Sequence, residues 1–136
     1  MQIVVFTIGK EEYGLDIQNV QEIVRLQERT KLPNLPEFFE GVINLRGKVI
    51  PVLNLAKKFN LQGNREGDSA RLIVLSIDND KSLAIMGDKV TEVLTIDETW
   101  IEQAHAILEE SKDSCVTGIV KLKDKLVILL DSNKII

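Results

Sequence analysis

The chain has 136 residues, 44% of them hydrophobic and 28% charged, with a formal net charge of −4. That length supports one domain able to bury a sizeable core. The acidic balance, with no Lys/Arg cluster interleaved with stacking aromatics, argues against a nucleic-acid partner. Aromatic residues make up only 4% of the chain, so the core must be built from Ile, Val and Leu. The single cysteine, Cys115, has no partner for an internal disulfide, which fits a reducing cytoplasm. Met1 runs straight into an apolar strand without a basic leader or cleavage site, and no apolar run approaches the ~20 residues that cross a bilayer. A cytoplasmic protein without direct membrane insertion is expected.

Taken in order, Gln2 to Ile8 reads as a strand, Gly9 to Glu12 as a polar turn, and Tyr13 to Ile17 as the return strand. Asn19 to Ile23 reads as a short helical or irregular piece, with Val24 to Leu26 extended. Pro33 and Pro36 mark an irregular link. Gly41 to Leu45 and Val49 to Leu53 form a hairpin with its corner at Asn44 to Gly47, and Leu55 to Asn60 gives one helical turn. The polar stretch Gln62 to Ser69 is the best internal boundary. Strands follow at Leu72 to Ile77, Leu83 to Met86 and Val90 to Ile96, the first two joined by a turn at Asp78-Asn79-Asp80. Asp97 is placed to cap a helix reaching about Glu110, striped by Trp100, Ala104 and Leu108. Gly118 to Leu122 and Leu126 to Leu130 close the chain as a second hairpin.

The chain resembles itself. Gly41 to Asn54 aligns with Gly118 to Asp131 at one constant offset, with Gly, Leu, Lys and Leu coinciding and most apolar positions matching. Val20-Gln21-Glu22-Ile23-Val24 likewise aligns with Val90-Thr91-Glu92-Val93-Leu94. Half-repeats 1–66 and 67–136 of a single domain, 1–136, are therefore expected. Each holds about five short strands, enough for a small barrel, and strand exchange between the halves is open. Two such barrels packed together share one aliphatic core.

These residues also resemble a known family, the bacterial chemotaxis coupling proteins with a CheW-like domain. The densest part is Pro36-x-Phe38-x-x-Gly41-Val42-x-Asn44-Leu45-Arg46-Gly47, continuing as Ile50-Pro51-Val52-Leu53-Asn54-Leu55. Tyr13-Gly14-Leu15-x-Ile17-x-x-Val20-x-Glu22-Ile23 looks like the family's first block, Asp88-x-Val90 its middle block and Thr117-Gly118 its last. The resemblance implies a mainly β fold of two packed five-stranded SH3-like β-barrels with a few short helices. It implies an adaptor without catalytic residue, cofactor or metal, joining the cytoplasmic tips of methyl-accepting chemoreceptors to the regulatory domain of the histidine kinase CheA. Other CheW-like domains in rings are further partners it implies, with recruitment to membrane receptor arrays. The chain ends at Ile136, close to its last strand, where many relatives continue into a longer helix, so contacts made by terminal extensions are left open. A ring filler or an adaptor of a different array is the alternative, and a small enzyme or ligand sensor the reading from another class.

Arg46 is the first candidate for partner binding. Its planar fork engages a carboxylate or carbonyl with two hydrogen bonds, against the bland reading of a solvated turn arginine. Glu22 and Val20 share one face if their segment is extended; the bland reading makes Glu22 solvated and Val20 core. Asn44 and Gly47 build the corner, and Leu45 adjoins it. Val20, Leu45, Met86 and Val90 are candidates to line a groove taking a helical receptor tip. Asp88 is a further candidate that also fits a strand-end cap. Gly41 and Gly118 read as structural, relieving a bulge or letting two backbones approach. His105, the only histidine, has no ligand-spaced companion, and Cys115 no activating neighbour.

Overall fold

Four segments carry aliphatic side chains on both faces, and this decides the architecture. In the computed structural model, which describes residues 1–61, 67–78, 80–103 and 115–135, they are β1 (Gln2–Ile8), β2 (Glu11–Asp16), β6 (Arg71–Ile77) and β7 (Lys81–Gly87). A strand that is apolar on both faces must be covered on both. The remaining strands are β3 (Val20–Arg25), β4 (Phe39–Leu45), β5 (Lys48–Asn54), β8 (Lys89–Thr95), β9 (Ile101–Gln103), β10 (Val116–Lys121) and β11 (Leu126–Leu130). They alternate more and flank the first four.

Two sheets result, ordered β8-β1-β2-β11-β10-β9 and β3-β6-β7-β5-β4. Except for the added three-residue β9, the orders correspond strand for strand. Each pairs its hairpins antiparallel and joins them by one parallel contact, β2 with β11 and β5 with β7. The 66/67 boundary does not separate the sheets. Hairpin β1–β2 takes its other partners from β8 and β11, while β6–β7 lies between β3 and β5. Each doubly apolar hairpin thereby lines one barrel with one face and turns the other toward its counterpart. Ile3 and Val5 enter a cluster with Val120, Val127 and Leu129, and Leu72, Val74, Ala84 and Met86 enter one with Ile43, Ile50 and Val52. Phe6, Ile8, Tyr13 and Leu15 meet Ile73, Leu75, Leu83 and Ile85 in the shared core. The short helix α1 (Leu55–Lys58), capped by Asn54, buries Leu55 and Ala56 against it.

Two expectations change. The helical piece at Asn19 to Ile23 is only a 3-10 turn at Ile17–Asn19, after which β3 begins at Val20. Val20, Ile23 and Val24 are β-branched and find cross-strand partners on β6, which outweighs local preference. Asp97 does cap, accepting hydrogen bonds from the Thr99 N–H and hydroxyl, which hold its carboxyl below the usual range. What it caps is a 3-10 turn, Glu98–Trp100, leading into β9. The rest of that expected helix, with Ala104, His105 and Leu108, lies outside the described residues, as does part of the 62–69 loop and Asn79.

Gly41 and Gly118 occupy equivalent bulges, where β4 and β10 slip register against β5 and β11. Beside each runs a second backbone. A Cβ on Gly41, at φ 118°, would stand 2.3 Å from the Thr30 carbonyl oxygen, and one on Gly118 would stand 2.7 Å from that of Glu102. Thr30 bridges Val42 just as β9 pairs with β10. The glycines therefore admit the strand extensions that bear on β4 and β10. Gly41→Ala is expected to cost more than about 3 kcal/mol in urea unfolding, through backbone collision and left-handed strain together. Gly47→Ala, with open space around its Cβ, is expected to cost only about 1 kcal/mol. Equal losses for the two variants would contradict this account.

Candidate functional site

The β4–β5 hairpin turns in two residues. Leu45 pairs with Lys48, leaving Arg46 at φ 52° and Gly47 at φ 86°. Positive φ at both central positions defines a type I′ turn, whose twist matches the flanking strands and whose usual sequence is Asn-Gly. Asn44 stands just before it, and its side-chain oxygen accepts the Gly47 N–H at 2.8 Å. Arginine in the left-handed region costs roughly 1–2 kcal/mol. The guanidinium donates to the Glu22 carboxylate on β3, with the two side chains 69% and 29% exposed. An ion pair that open to water contributes about 0–1 kcal/mol, too little to justify the backbone cost on stability alone. The leading two candidates thus form one presented pair. Leu45 lies half-buried beside it, against the cluster of the second sheet.

The equivalent corner of the other sheet is built differently. Lys125 binds Glu92 at 2.5 Å and Glu12 at 3.2 Å, and the hydrogen bond to Glu92 raises its pKa. Lys48, which corresponds to Lys125, donates instead to Ser82 at 2.9 Å, and Ser82 donates to Gln21 at 3.2 Å. Serine on β7, where β2 has Glu12, gives Lys48 a neutral partner. Glu22 is left to Arg46.

The structure does not bring the other candidates together. Val20 opposes Leu75 and Glu22 opposes Val74, because β3 carries a bulge at Gln21. Leu75 belongs to the shared core and Val74 to the cluster inside the second sheet, so Val20 and Glu22 lie on opposite faces rather than one. The same bulge recurs at Thr91, whose hydroxyl donates to the Val5 carbonyl. Met86 is 1% exposed and is plain core, its apolar chain filling the second sheet's interior. A single groove lined by Val20, Leu45, Met86 and Val90 therefore does not exist: Leu45 and Met86 serve one cluster, while Val20 and Val90 border the shared one. Asp88 ties turns together, its carboxylate accepting from the Gly9 N–H at 2.7 Å while its own N–H donates to the Thr7 carbonyl. Burial pushes the Cys115 thiol up, away from nucleophilic use. Among the described residues no three potential ligands gather for a metal.

One residue was not singled out by sequence. Ile23, 38% exposed, faces the shared-core side of β3 opposite Ile73. Its counterpart Val93 on β8 is 50% exposed. An Ile in an apolar segment carries no sign of exposure; only the repeat of Ile23 as Val93 marks the position.

A family model described as the CheW-like domain matches residues 2–136. The chain belongs to the CheW-like family. It is 34% identical to the chemotaxis protein CheW of Klebsiella aerogenes over 99% of this chain and 81% of that protein. It is also 34% identical to that of Helicobacter pylori, over all of this chain and 81% of the relative. The solved scaffolding protein TtCheW from Thermoanaerobacter tengcongensis is 39% identical, with a TM-score of 0.88 over 98% of this chain and 86% of that one. The mainly β, two-barrel architecture is that of a CheW scaffold.

Two outcomes test the corner chemistry. Arg46→Asn is expected to leave urea stability unchanged or raise it by about 1 kcal/mol, because turn strain is relieved while little ion-pair energy is lost. A loss above that size would make Arg46 a structural residue. Lys125 has a raised folded-state pKa, so its contribution is complete below the usual lysine value of about 10.4 and is lost as pH climbs through the higher folded value. The stability gap between wild type and Lys125→Met is therefore expected to hold from pH 7 to about 10 and shrink above it. A gap that widened there would reverse the assignment.

Proposed function

We propose that this protein is a non-catalytic cytoplasmic adaptor, coupling the cytoplasmic tips of methyl-accepting chemoreceptors to the regulatory domain of the histidine kinase CheA. The observation that carries the reading is the exposed Arg46–Glu22 pair, held on a two-residue turn at the densest stretch of family resemblance. A guanidinium kept against strain at the tip of a buried scaffold is suited to contact with a protein partner. Asn44 and Gly47 set its direction, while Gly41 and Gly118 keep the barrels closed behind it. Other CheW-like domains have related shapes and compete for the same surfaces in rings.

The receptor tip, a helical hairpin, seats where the two barrels meet. Val20 and Ile23 on β3, and Val90 and Val93 on β8, face the shared-core side while retaining exposure. That gives edge-strand apolar anchors for a helix, in place of the groove expected from sequence. Recruitment to membranes then runs through the receptor; among the described residues no helix is long and apolar enough to cross a bilayer.

Co-sedimentation with receptor-containing membranes and CheA tests the reading. Wild type is expected to pellet with the membranes and support kinase activation, and Arg46→Ala to weaken kinase coupling about tenfold without unfolding. Failure of wild type to associate with either partner, each supplied separately, would overturn the adaptor role.

A further inference from the structure

Arg25 and Arg71 stand directly opposite each other as the last pair in the β3–β6 ladder. Like charges in facing positions repel. Neither guanidinium meets a carboxylate among the described residues. Arg71 is held by donating to the Asp68 and Ala70 carbonyls at 2.9 and 2.8 Å, whereas Arg25 is exposed. At the equivalent end of the other sheet the facing pair is Gln2 and Thr95, both neutral. The strand frame repeats there; the charge does not. A net charge of −4 leaves ample acid on this chain to neutralise such a pair, and none is placed to do so.

Strand alternation puts Arg25 on the same face as Ile23, about 7 Å further along β3. Ile23 is the half-exposed anchor at the barrel junction. We propose that Arg25 and Arg71 together bind a carboxylate on the receptor's helical tip, borne three or four residues from the apolar side chain that packs on Ile23. That spacing rises about 5–6 Å along a helix and matches the separation on β3. Arg71 is preset by its carbonyl bonds, and Arg25 closes on the acid from the solvent side. Bringing in the carboxylate turns a repulsive pair into a bridged one, so the site selects for an acidic tip as well as an apolar one. The assignment rests on receptor docking at the junction.

The test titrates a labelled receptor cytoplasmic hairpin fragment with the full chain at low and high salt. Arg25→Gln is expected to weaken binding about fivefold at low salt, with the difference closing as screening increases. Lys134→Gln, an exposed cation elsewhere, is expected to bind as wild type. One Asp or Glu to Lys change in the fragment is expected to lose binding to wild type and regain it with Arg25→Glu. If Ile23→Asp loses binding while Arg25→Gln matches wild type at low salt, the carboxylate site is overturned and junction docking stands. If Ile23→Asp also binds as wild type, or wild type does not bind the fragment, docking at the junction falls and the carboxylate site with it.

Discussion

The structure depends on one burial constraint: hairpins β1–β2 and β6–β7 are apolar on both faces, and neither can be satisfied inside a single barrel. Each lines a barrel completed by strands from the other part of the chain, and their outer faces meet in the shared cluster of Phe6, Tyr13, Ile73, Leu83 and their neighbours. Neither barrel closes without both parts, so the two form one cooperative unit rather than a pair of modules. The bulges follow from the same constraint. β3 must supply Val20 to the shared core and Val24 to its own barrel. An uninterrupted strand would keep them on one face; the extra residue at Gln21 turns them apart.

On this repeated frame the chemistry is not repeated. At one corner Lys125 is engaged by Glu92 and Glu12 and holds β11 to β8 and β2. At the other, Ser82 gives Lys48 a neutral partner, and the free acid of β3 goes to Arg46. The first arrangement is partly buried and serves the fold. The second is exposed, sits on an unfavourable backbone, and adds little stability. What differs between two otherwise matching halves is where selection has acted on something other than folding.

The sequence made the strands and the repeat legible because apolar periodicity and its recurrence are local signals. The Arg-Gly corner was legible for the same reason, since a tight turn between apolar runs needs a residue tolerant of positive φ. Three things were not. The exchange of hairpins concerns which distant strands pair, and an alternating pattern fits either partner equally. The bulge at Gln21 leaves no mark in composition, so Val20 and Glu22 read as face-mates and Ile23 as core. Met86 looked adaptable, yet only the register of β7 against β6 shows it pointing inward. The helix at Asp97 was misread because a good cap announces a turn of helix without fixing its length.

β3 is where these surfaces converge. Its Glu22 points to the hairpin corner, whereas Ile23 and Arg25 point to the junction, so consecutive residues of one strand address two different surfaces. β3 is also terminal in its sheet, with a single full ladder to β6. An edge strand held on one side yields more readily than the doubly covered β6 and β7 behind it. A partner that presses on Ile23 therefore acts on the residue next to the one that orients Arg46, through backbone rather than through a chain of side chains. Coupling of that kind requires no hinge between the barrels, whose shared core resists one. It requires only that the twist of β3 differ between partner-bound states, which is a property of one bulged strand.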